Sequence, residues 1–174
     1  MGLFRRRVAA PTAPPEVEVA GVRYRQHRTA SPDPENASHL YLPPDEDPAR
    51  FRRRVQLDVH TARGLTPATV LGHWLPLHAA RHDGPAEMNH EVFTANDGSG
   101  EYLLDFLLSH HEAGLPAWEW NAVRVIPHRV GLVVLAWTHR AYGEEIDPFL
   151  TGLGAERPAL LGRFMDAPVP EVTS

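Results

Sequence analysis

With neither cysteine nor lysine among its 174 residues, the first candidates for chemistry in this chain are its carboxylates and imidazoles. Disulfides, thiolate metal sites and cysteine nucleophiles are thereby excluded. The first candidate is Asp105, set in the apolar run "EYLLDFLLS". An ionised carboxylate there must be exposed, paired or protonated. A raised pKa would make it a general base. The simpler expectation is a cross-strand ion pair with Arg124. Glu119 and Asn121 share one face of "WEWNAVRV" as a polar stripe, while Trp118 and Trp120 share the other as packing residues.

Histidine is the second candidate. His73, His78 and His82 fall in one helical segment, and His78 and His82 are one turn apart, a spacing that suits two metal ligands on one face. His110, His111 and Glu112 could supply a further ligand from a loop. No Glu adjoins His78, so the HExxH pattern is absent. His73, His78 and His82 stand as the candidate metal set. No nucleophile motif is found. Ser99 in "DGSG" lacks nucleophile-elbow spacing and reads as a hairpin turn. "GLGAERP" lacks the Lys-Ser/Thr of a phosphate loop. The carboxylates and imidazoles of 101–137 therefore read as sheet trim, and no catalytic residue or cofactor is assigned.

The elements that position these residues follow from periodicity. "EVEVAGVRYR" alternates with a break at Gly21, as a strand or bent pair of strands. "TASPDPENASH" is turn chemistry. In "RRRVQLDVH", Val55, Leu57 and Val59 lie on one face and Arg54, Gln56, Asp58 and His60 on the other. "LTPATVLGHWLPLHAARHDG" reads as a helix with Thr66 as N-cap and Pro67 in the first turn, kinked or split at Pro76. A hairpin of Met88–Ala95 and Glu101–Ser109 follows, then a loop over 110–117, a strand Trp118–Ile126, and a strand Val130–His139 apolar on both faces. A helical tail is interrupted at Gly152, Gly154 and Pro158, which predicts two segments. Strand runs joined by hairpins, with helices between and after, predict an α+β fold. The doubly apolar strand predicts helices on both faces of a mainly antiparallel sheet, a three-layer sandwich.

Composition narrows the function classes. Residues 1–30 hold six Arg and two Glu, a net of +4, and the remainder sums to −9. An acidic body argues against a nucleic-acid partner. The arginines are scattered, as coding bias in a GC-rich genome would leave them. Residues 1–15 are basic and proline-rich and read as a disordered arm, with one domain over 16–170. The apolar stretch after Arg5–Arg7 is too short for a secretory signal. No run reaches a membrane span. The expectation is a cytoplasmic protein without stable membrane insertion.

The chain resembles the PsbP-like α/β/α sandwich family and its bacterial members. The resemblance rests on "YLPPDEDPARFRRRVQLDVH", the helix after "GLTP", "EYLLDFLLS…WEWNAVRV", and "LAWTHRAYGEEIDPFL", over roughly residues 38–165. Phe51 stands where that family's pattern has Trp. The resemblance implies a three-layer fold and a non-catalytic binding or accessory role with a protein partner, and it carries no catalytic motif. The alternatives are a metal-binding protein or metal-dependent enzyme using the histidines, and a peripheral membrane-surface adaptor using Leu3–Arg7.

Overall fold

The computed structural model describes residues 10–83 and 88–173. Its strands are β1 (Glu16–Val19), β2 (Val22–Asp33), β3 (Asn36–Leu42), β4 (Arg53–His60), β5 (Asn89–Thr94), β6 (Tyr102–Glu112), β7 (Leu115–His128) and β8 (Gly131–Tyr142). The helices are α1 (Pro67–Ala79), between β4 and β5, and α2 (Ile146–Met165), after β8. All eight strands form one antiparallel sheet in the order β1-β2-β3-β4-β8-β7-β6-β5. Two four-strand meanders thus meet where β8 pairs with β4, and α1 connects them.

The sheet curls as a half-barrel, and this overturns the three-layer sandwich. The apolar clusters on the two sides of the central strands are real. One gathers Val55, Leu57, Leu135, Trp120 and Trp137 with Leu153, Leu160 and Phe164 of α2. The other gathers Leu104, Phe106, Val123 and Val134 with Val70 and Leu71 of α1. Yet α1 rests chiefly on β6 and β7, and α2 on β7 and β8. Neither helix spreads into a layer. A strand apolar on both faces demands cover only where it runs, and the rest of the sheet is served by curvature.

Four segments also differ from the sequence expectation. The 110–117 loop is strand except for a tight turn at Ala113 and Gly114, both at positive φ (50° and 80°). The "TASPDPENASH" segment is mostly β2 and β3, with Asp33 accepting hydrogen bonds from the Glu35 backbone N–H and the Asn36 amide. The tail is one helix, not two: Leu153, Leu160 and Phe164 share a buried face through Pro158. α1 likewise continues past Pro76, with the Thr66 hydroxyl accepting from the Thr69 N–H at 3.2 Å as its cap. Each proline has glycine four residues earlier, Gly72 and Gly154. Freedom at that glycine lets its carbonyl tilt away from the ring.

One glycine is fixed by space. Gly131 opens β8 at φ 137°, and a Cβ there would meet the His60 carbonyl oxygen at 2.1 Å. Of the N-terminal arm, residues 1–9, including Leu3–Arg7, lie outside the described residues. Thr12 pairs with Thr173, and the Tyr41 hydroxyl donates to the Pro14 carbonyl. No described helix is long and apolar enough to cross a membrane.

Candidate functional site

The face that carries α1 divides in two. Its β6 end is apolar. Toward β4, strand alternation turns Arg54, Gln56 and Asp58 onto this face, behind the buried Val55, Leu57 and Val59. Antiparallel register then sets Arg54 opposite Thr138, and Thr138 opposite Asn121, one row across three strands. The neighbouring row pairs Glu119 with Arg140. Over these rows lies a cavity of about 550 Å³, walled by Trp74, Leu77 and His78 of α1 and by Arg81 just beyond it.

The floor is hydrogen-bonded in a directed chain. Arg54 Nε donates to Thr138 Oγ1 at 3.4 Å, and Thr138 Oγ1 donates to Asn121 Oδ1 at 2.8 Å. This leaves the Asn121 Nδ2 amide, on a residue only 3% exposed, without a partner. His78 packs on Phe106 and Trp74 with ring centroids 4.9 and 5.1 Å away, and its Nδ1 is also unpartnered. Burial, reinforced by the Arg81 charge, pushes the His78 pKa down to about 4, so the ring is neutral at pH 7.

Glu119 is fully buried and serves as the anchor of the second row. It accepts from Arg140 through both Nε and Nη2 and from Arg81 Nη2 at 3.4 Å, with His110 Nε2 3.7 Å away. Burial alone would raise its pKa. The nearby His110 imidazole and the charges of Arg140, Arg54 and Arg81 outweigh it and hold the pKa well below the usual carboxylate range. Arg140 also reaches Glu112 and the Tyr142 hydroxyl. Asp58 accepts from Gln56 Nε2 through both oxygens, and burial raises its pKa. Phe51 takes both the Arg140 and Arg54 guanidiniums against its ring, at 4.1 and 4.7 Å. That stacking is a role for an aromatic at this position that a Lys-bearing site could not reproduce as well.

The residues singled out from sequence are distributed differently. His73 is exposed on α1, and His78 faces the sheet. His82 lies beyond the helix end, where its Nδ1 accepts from the Ser109 N–H at 3.0 Å. Among the described residues no three His, Asp or Glu side chains are grouped to hold a metal ion. His111 bonds Asp83 at 2.6 Å, and the Ser109 hydroxyl donates to the same carboxylate. Here the carboxylate stands between serine and imidazole, so the imidazole is not placed to take the serine proton.

Asp105 does not pair with Arg124. It accepts from Trp120 Nε1 at 2.7 Å and from Arg157 Nε of α2 at 2.9 Å. Register places Arg124 opposite Leu103. From there it binds Glu101 and donates to the Phe164 and Ala167 carbonyls at 3.3 and 2.7 Å. It thereby ties β7 to the end of α2, adding to the Ala167 N–H that the Phe164 carbonyl already accepts.

A protein-family model matches residues 12–169, nearly the whole described chain. The chain belongs to that family. Among curated proteins no match is found. Among solved structures, LpqN, involved in cell envelope biogenesis of Mycobacterium tuberculosis, is similar at 13% identity with a TM-score of 0.41. That alignment covers 95% of this chain and 86% of LpqN.

Proposed function

We propose that this protein is a non-catalytic binding module whose ligand enters the cavity between α1 and the β4–β8–β7 floor. The observation that carries the reading is the pair of unpartnered buried polar atoms, Asn121 Nδ2 and His78 Nδ1, on residues that line that cavity. A buried polar group without a partner costs about 1–3 kcal/mol. A ligand that supplies the missing bonds recovers that energy. The volume is in the range of small-molecule sites. Catalysis is disfavoured because Glu119 is locked as an anion by arginines and Asp58 is engaged by Gln56. Kinship with PsbP-like binding proteins, read from residues 38–165, is part of this proposal, without their three-layer architecture. The test is a fragment screen by NMR on the isotope-labelled protein. Binders are expected to shift the signals of Trp74, Leu77 and Asn121 first. A library that leaves all three unmoved overturns the reading.

A second reading, a protein partner, is favoured by β5. Every residue of this edge strand is exposed, with Val92 and Phe93 each at 43%. An unpaired edge is open to strand addition. A photo-crosslinking residue in place of Phe93 tests it, and absence of any adduct in host extract removes it.

A further inference from the structure

We propose that the cavity takes an organic monocarboxylate, its head held by the Arg54 guanidinium and the Asn121 amide and its apolar body flanked by Trp74 and Leu77. The proposal rests on the cavity being the binding site.

The cavity lining holds donors without partners. Three guanidiniums line the cavity. Arg140 binds Glu119 and Glu112, and Arg81 binds Glu119. Arg54 alone of the three has no carboxylate within ion-pair distance among the described residues. Its contacts are the Thr138 hydroxyl and the Phe51 ring. The carboxylates nearby are already engaged, Glu119 and Glu112 by Arg140 and Asp58 by Gln56. A half-buried guanidinium in this position retains unused N–H donors in a planar fork, which matches a carboxylate.

Asn121 adds a second donor on the same row. Its Oδ1 is occupied by Thr138, which leaves the buried NH₂ without an acceptor on a residue that lines the cavity. Donors without acceptors select an oxyanion over a cation or an alcohol. One unmatched positive charge selects a single negative one. A phosphate dianion would bring excess charge toward Asp58 and Glu112, which share the cavity. Opposite the polar floor, the Trp74 ring and the Leu77 side chain give the rest of the ligand an apolar wall.

The test is NMR-monitored titration of the full chain at pH 7 with phenylacetate, hexanoate, their neutral amides and phenyl phosphate. Each acid is expected to bind at least about tenfold more tightly than its amide, the effect of a charge-assisted hydrogen-bonded pair. Phenyl phosphate is expected to bind more weakly than phenylacetate. Arg54→Gln should erase the preference for acid over amide. Asn121→Asp, which keeps the Thr138 contact and offers Arg54 an internal carboxylate, should abolish acid binding without loss of stability. Equal binding of acids and amides overturns the monocarboxylate assignment and leaves the cavity reading standing. Tighter phosphate than carboxylate binding overturns it in favour of a dianion. If neither acids nor amides shift Trp74, Leu77 or Asn121, the cavity reading falls with it. The acid–amide comparison uses the native protein, so it decides even if a variant fails to fold.

Discussion

The two faces of the sheet use the same strands to opposite ends. On the α2 face, Trp120, Trp137 and Phe164 fill the space under the helix, with Trp137 stacked on Phe164 at 5.7 Å and edge-on to Trp120 at 5.5 Å. Several of its polar groups are paired inward: Trp120 and Arg157 on Asp105, Trp137 on the Tyr24 hydroxyl, Arg124 on the end of α2, while His139 Nε2 is buried there without a partner. On the α1 face the shorter helix covers the apolar end and stands over a cavity at the polar end. Close packing leaves little room for a ligand. With the proposed function, the division leaves stability chiefly to one face and recognition to the other.

The largest expected effect tests that division directly. Phe164 is fully buried. Phe164→Ala should cost about 3–5 kcal/mol in urea unfolding, from lost transfer energy and the cavity left behind. Variant protein that remains folded should still bind phenylacetate as the native chain does. A loss below about 1 kcal/mol would show that α2 does not close the principal core.

Two buried histidines sharpen the comparison, because each face has one. His139 sits edge-on to Trp120 and Trp137 at 5.4 and 4.5 Å on the α2 face, and burial with nearby Arg53 and Arg163 pushes its pKa down to about 4. His78 has the same lowered value on the α1 face. A depressed histidine pKa means that the unfolded chain takes the proton first. Stability is therefore whole above the ordinary value of 6.5 and falls as pH drops from there toward 4. Each ring should account for about 1–3 kcal/mol of that fall, measured as unfolding free energy at pH 7 and at successively lower pH. His139→Leu and His78→Leu should each flatten the slope. Each ring borders a cavity, His78 under α1 and His139 beside Arg53 and Phe149, so the two contributions should be similar. NMR titration showing either imidazole at its ordinary pKa would break this account.

What was legible in the sequence is the local part of this arrangement. Alternation at Val55, Leu57 and Val59 placed a strand, and Thr66-Pro67 placed a helix start, because both signals are carried by neighbouring residues. The Glu119–Asn121 stripe was legible for the same reason. The cavity was not, since its floor exists only because β8 lies beside β4, a pairing made across α1 and three strands. The row Arg54–Thr138–Asn121 has no counterpart in sequence spacing. Asp105 illustrates the same limit: a neighbouring-strand arginine was the natural partner, yet Arg157 arrives from a helix 52 residues away. The Ala113–Gly114 turn was missed because alanine rarely takes the positive φ that Asn-Gly or Asp-Gly would advertise. The helices ran through Pro76 and Pro158 against a sound rule, and the glycines at 72 and 154 were the signal overlooked.

The smallest expected change in stability separates the two roles most cleanly. Leu77 lies on α1, is 54% exposed, and still lines the cavity. A half-exposed side chain contributes little to folding, so Leu77→Ser should leave the unfolding free energy within about 0.5 kcal/mol. Its apolar surface is instead available to a ligand. Losing about 1 kcal/mol of apolar contact should weaken phenylacetate and phenylacetamide alike by about fivefold, because Leu77 touches the body and not the head. Arg54→Gln removes the preference for acid over amide, which Leu77→Ser leaves in place, so the pair of variants distinguishes head from body at one site. If Leu77→Ser destabilises the chain as strongly as Phe164→Ala, the α1 face is a second closed core, and the contrast between the faces fails.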